Sequence, residues 1–160
     1  MKTLLSSFVF CSLLFSSKAQ QYSTAIGFKG SVSNLDVAGA DFSMKHFFNS
    51  PNALEVNLGF SRNYVWLQGL YAYNIEMRRG VEWYYAFGGD FGYWNRNYAH
   101  YNNRKEYEGF WLGADANMGL EYTFDSFPIN VSVDIGPTLR VIPYLKLGVI
   151  SGFAVRFALK

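Results

Sequence analysis

His46 and His100 are the only imidazoles in the chain, and Cys11 is its only thiol. Acyl transfer or proteolysis needs a nucleophile with a base in reach, and neither histidine has an inferable serine partner. His46 sits beside Phe47 at the end of an apolar-alternating stretch, where it reads as an interfacial side chain. His100 lies in the polar, Tyr-rich segment Asn95 to Glu108 (NRNYAHYNNRKEYE), too far away to share a site with it. One cysteine excludes a disulfide framework and every cysteine-rich zinc site. No phosphate loop, dinucleotide fingerprint, HExxH or GxSxG motif occurs, and Gly88-Gly89-Asp90-Phe91-Gly92 does not precede a helix. No catalytic residue, cofactor or metal site is expected. The remaining chemistry is electrostatic. Lys29, Asp41, Lys45, Glu55, Asp90, Asp115, Glu121, Asp134 and Arg156 each stand on the polar side of an alternating segment. Charges taken out of water must find partners, so these nine predict an internal ion-pair and hydrogen-bond network.

The segments that must position them are strands. From Tyr22 onward apolar and polar residues alternate, with turn signals at roughly even spacing. The clearest run is Gly109 to Phe124. There Phe110, Leu112, Ala114, Ala116, Met118, Leu120, Tyr122 and Phe124 share one face, opposite Trp111, Asp115, Asn117 and Glu121. Ile129 to Leu139, Leu54 to Phe60 and Leu147 to Leu159 repeat the scheme, and 22–31, 37–48, 64–76 and 81–94 bring the number of segments to eight. In 64–76 the phase is open, because Trp66, Leu67, Leu70 and Tyr71 occupy both faces. Ser50-Pro51-Asn52, Met77-Arg78-Arg79-Gly80 and Asp125-Ser126-Phe127-Pro128 read as tight turns at one end, and the long 95–108 connection lies at the other.

The first nineteen residues are expected to be removed. Met1-Lys2 opens an apolar run from Leu4 to Phe15, and Ser17-Lys18-Ala19 puts small residues where a signal peptidase reads, which predicts cleavage before Gln20. Bulky Phe10 before Cys11 fits a lipoprotein site poorly. The predicted mature domain, 20–160, has 141 residues and no cysteine. Of the 14 basic residues, Lys2 and Lys18 leave with the leader, so 12 remain against 12 acidic ones. No basic surface is left to suggest nucleic acid.

Half of the chain is hydrophobic, 19% is aromatic and 16% is charged, which excludes disorder. The polar faces hold eleven of the 15 glycines together with Ser, Asn and Asp. A solvent-facing strand normally carries longer side chains and avoids glycine, so these faces suit the crowded lumen of an eight-stranded barrel. The apolar faces carry no charge between their end residues. Aromatic residues gather near segment ends (Tyr22, Phe47, Phe48, Tyr64, Trp83, Tyr85, Tyr93, Trp94, Tyr122, Phe124 and Phe157), as in interfacial girdles. The expected fold is therefore an all-β, eight-stranded, antiparallel up-and-down transmembrane β-barrel. Within it Lys45, Glu55, Glu121 and Arg156 lie near the short-turn end. Lys29, Asp41, Asp90, Asp115 and Asp134 lie nearer the middle, with Arg62 or Arg140 supplying positive charge from the loops.

Phe42-Ser43-Met44-Lys45-His46-Phe47-Phe48, the stretch from Trp83-Tyr84-Tyr85 to Phe91-Gly92-Tyr93-Trp94, and Leu120-Glu121-Tyr122-Thr123-Phe124 resemble small outer-membrane β-barrel proteins of Gram-negative bacteria. The resemblance covers nearly all of the expected mature chain and is mainly architectural. It implies a barrel in the cell outer membrane, with outer-membrane lipid as its surroundings and a structural or adhesion-like role; inserted alone, such a barrel is most simply a monomer. Such barrels usually end on an aromatic residue, whereas here Phe157 is followed by Ala158-Leu159-Lys160. Tyr98, His100, Tyr101 and Arg104 in the long loop are the candidate contacts to an extracellular ligand. Two other readings stay open: a soluble secreted barrel binding an apolar ligand, and a small cation-preferring pore.

Overall fold

The described residues form eight strands. They are β1 (Thr24–Ser33), β2 (Ala38–Asn49), β3 (Asn52–Phe60), β4 (Tyr64–Arg78), β5 (Val81–Trp94), β6 (Gly109–Thr123), β7 (Ile129–Ile142) and β8 (Lys146–Leu159). This computed structural model describes residues 22–35, 38–61, 64–94 and 109–159. The predicted leader, the Arg62-Asn63 connection and the 95–108 loop with its candidate contacts lie outside the described residues. Each strand pairs antiparallel with its sequence neighbour, and β1 pairs with β8, so the sheet closes into an up-and-down barrel.

The register sets its shape. Paired residues lead from Ala158 to Ala25, Lys45, Glu55, Leu70, Gly88, Asp115, Thr138 and back to Gly148, ten positions from the start on the same strand. With ordinary strand spacing and rise, that stagger on eight strands tilts them by about 40° to the barrel axis. The wall is uneven: β1 and β3 have 10 and 9 residues, whereas β4 to β8 have 14 or 15.

The predicted alternation holds along every strand. On β6, Trp111, Asp115, Asn117, Glu121 and Thr123 are buried while Phe110, Leu112, Met118, Leu120 and Tyr122 are exposed. The open phase of β4 resolves with Tyr64, Trp66, Gln68, Leu70, Ala72 and Asn74 inward. Three expectations need correction. The β4–β5 turn is only Arg79-Gly80, with Gly80 at φ 81°, so Met77 and Arg78 belong to β4. Arg140 is not in a loop, because β7 continues to Ile142 and turns its guanidinium inward, where it is buried. Of the end-of-segment aromatics, Tyr22, Phe47, Tyr64 and Trp94 are buried in the interior rather than on the outer surface.

Candidate functional site

All nine charged residues singled out from the sequence are buried in the lumen, and they sort into layers. Nearest the short turns, Glu121 accepts from Lys45 Nζ, from the Tyr22 hydroxyl and from Asn130 Nδ2. The Lys45 ammonium also stands 4.3 Å from the ring centre of Tyr84, close enough for a cation–π attraction. Arg156 Nε donates to Ser43 Oγ at 2.9 Å and Nη1 to Ser132 Oγ at 3.0 Å, and Nη2 lies 3.0 Å from Glu55 Oε1. Glu82 faces Glu121 across the β5–β6 ladder and accepts from Asn74 Nδ2 at 2.6 Å.

At mid-height Lys29 bridges Glu55 at 2.9 Å and Asp134 at 2.8 Å. It therefore ties the two predicted depths into one network. Lys29 spans from β1 past β2 to β3, and past β8 to β7. That reach needs small residues on the strands it crosses. Ser43 lies inward on β2, and a Cβ on Gly152 of β8 would come within 2.3 Å of Lys29 Cε.

Toward the loop end, Asp41 accepts from Ser31 Oγ and from Trp66 Nε1, the latter at 2.9 Å, and Asp90 accepts from Trp111 Nε1 at 2.6 Å. Asp115 takes Gln68 Nε2 at 2.7 Å. Above them Arg140 lies 4.4 Å from the ring centre of Trp94, and its Nη2 donates to the Leu35 carbonyl at 3.0 Å. Tyr64, Trp66, Trp94, Trp111 and Ile150 pack together at this end. Polar and aromatic side chains thus fill the lumen along its length, and His46 stands apart, bonded to Thr24 Oγ1 at 2.8 Å and edge-on to Phe48.

Sequence reasoning missed Glu82 and Arg140 as lumen charges. Glu82 shares the parity of Asp90, and Arg140 that of Asp134, so alternation extended to the strand ends would have found both. Of the amide partners, it placed Asn57, Asn117 and Asn130 on polar faces without giving them a role, and it left Gln68 and Asn74 unplaced because the phase of β4 was open.

Fold and lining together define a class: a closed eight-stranded β-barrel of inverted polarity, with a polar, charged interior and an apolar exterior. No protein-family model, curated protein or solved structure matches the chain.

Proposed function

We propose that the chain is an integral outer-membrane β-barrel with a structural or surface-interaction role, its lumen plugged by paired polar groups and no catalytic step assigned to it. The observation that carries this reading is the outer wall. Phe28, Phe42, Phe60, Leu67, Phe87, Phe91, Met118, Leu120, Val133, Ile135, Phe153 and Phe157 all stand exposed on it, at least one on each of the eight strands. Soluble monomers rarely expose contiguous apolar patches beyond a few hundred Å², whereas hydrocarbon is the natural solvent for such a surface. A closed barrel also pairs its strand backbones without water. At a tilt of about 40°, even nine-residue β3 crosses about 23 Å, close to the apolar band of about 25 Å that membrane barrels carry.

The short turns then face the periplasm, and Tyr98, His100, Tyr101 and Arg104, in the sequence between β5 and β6, are the residues assigned to contact with an extracellular ligand. Lipid is the principal partner, and the barrel inserts as a monomer. Fractionation of expressing cells tests this, followed by gel mobility of the outer-membrane fraction with and without boiling. A band there whose mobility shifts on heating is expected. A soluble periplasmic protein with no shift would instead favour a secreted barrel and overturn the assignment.

A further inference from the structure

The connections at the loop end of the barrel differ in composition. Residues 61–63 between β3 and β4 are Ser-Arg-Asn, and 95–108 between β5 and β6 is rich in Asn, Arg and Tyr. Between β1 and β2, Leu35 is buried and its carbonyl accepts from Arg140. The β7–β8 turn is neither polar nor tucked in. From Val141 through Ile142, Pro143 and Tyr144 to Leu145, five successive residues are exposed, and none carries a charge or a side-chain amide. Leu145 and Leu147, at 73% and 70%, are the most exposed large apolar side chains among the described residues. Turns that meet water are built mainly from Gly, Asn, Asp, Ser and Pro, and an exposed apolar run of this length marks a surface that is covered in use.

Two features name what covers it. The outward positions of β7 below the turn, Ile135, Pro137, Leu139 and Val141, are all apolar, so along this strand the outer wall runs into the tip without a polar break. Val149 and Leu147 do the same on β8. The second feature is the backbone. Arg140–Lys146 is the last β7–β8 pair, Ile142 still pairs with Leu112 of β6, and Pro143 has no N–H to satisfy. Peptide groups outside a ladder are excluded from bare hydrocarbon, whereas headgroup oxygens and interfacial water can meet them. Tyr144 suits that same boundary, where an aromatic ring with a polar tip is favoured, and Lys146 is long enough to carry its ammonium to the headgroups.

We infer that the β7–β8 tip anchors the barrel in the membrane interface, with Val141, Leu145 and Leu147 among lipid acyl chains and Tyr144 among the headgroups. The inference rests on the membrane reading above and adds to it a loop-end turn whose partner is lipid rather than water or a soluble ligand.

The test uses the full chain carrying Cys11→Ser, refolded into phosphatidylcholine vesicles, with bimane on single cysteines at three exposed positions. These are Leu145→Cys at the tip, Ser61→Cys in the polar turn and Val133→Cys on the outer wall. Iodide quenches from the water and doxyl groups on the acyl chains quench from the lipid. The tip label is expected to be quenched by doxyl lipid, as the wall label is. It is also expected to be at least about fivefold less sensitive to iodide than the turn label, because side chains at this boundary sit about 5–10 Å below the water. Iodide sensitivity equal to that of the turn label would put the tip in water. Protection from both quenchers would put protein over it, from a second copy or another segment. Either result overturns the inference, while doxyl quenching of the wall label keeps the membrane assignment. A wall label that escapes doxyl lipid would sink that assignment and the inference with it. If Leu145→Cys gives no heat-shifted band, Tyr144→Cys takes its place with the same expectations.

Discussion

Lys45 is fully enclosed, between Glu121 and the rings of Tyr84 and Phe47. Replacing it with methionine strands the Glu121 carboxylate, and breaking a buried pair from one side costs about 3–5 kcal/mol. Urea unfolding of the refolded barrel is expected to show a loss of that size for Lys45→Met. The double variant Lys45→Met, Glu121→Gln should recover part of it, because the neutral amide still meets Tyr22 and Asn130. A double variant no more stable than the single one would mean that the ammonium acts mainly through its aromatic neighbours. The charged residues were legible one at a time, since each stands in the polar phase of an alternating segment. Their partnerships were not. Lys29 reaches Glu55 and Asp134 by crossing strands that carry small residues, and those crossings depend on a ten-residue stagger that no local pattern encodes.

For the strands, the sharpest test is glycine placement. A Cβ on Gly27 of β1 would lie 2.1 Å from the Val155 carbonyl oxygen on β8, whereas a Cβ on Gly69 meets nothing within 4 Å. Gly27→Val is therefore expected to block closure of the β1–β8 seam and abolish the heat-shifted band. Gly69→Ala is expected to leave stability within about 0.5 kcal/mol, as substitutions away from close contacts usually do. Equal behaviour of the two would show that the seam yields. Strand existence and phase were readable in seven segments, because sustained alternation admits one assignment when glycine and charge avoid one face. β4 resisted because its inward face carries Trp66 and Leu70, which are as apolar as the Leu67 and Tyr71 they oppose. The polar residues Gln68 and Asn74 share the inward parity and were the overlooked cue. Arg140 was misplaced for a different reason: the alternation was followed only to Leu139, whereas the strand runs to Ile142.

At the scale of the molecule, inverted polarity makes opposite demands on the two surfaces. Phe153→Lys puts an ammonium on the outer wall near mid-height, where a charge facing lipid costs about 2–4 kcal/mol. Refolding into vesicles is expected to weaken by that amount, and unchanged insertion would count against a lipid-facing wall. The filled lumen predicts silence in single-channel recording for the native barrel, with Asp90→Asn and Asp134→Asn leaving it silent. Steady conductance altered by those two substitutions would instead favour the pore reading. The unequal wall has a geometric consequence. Strands of 14 residues rise about 35 Å along the axis where β3 rises about 23 Å, and Phe110, Val141 and Ile142 keep the upper part of the longer side apolar. A slab of uniform hydrophobic thickness cannot match both sides of an upright cylinder. Mismatch of this kind is relieved by leaning or by thickening the lipid along one flank. In the membrane setting proposed above, either response would give a round barrel a preferred azimuth, so that neighbouring lipids and proteins would meet a thick side and a thin one.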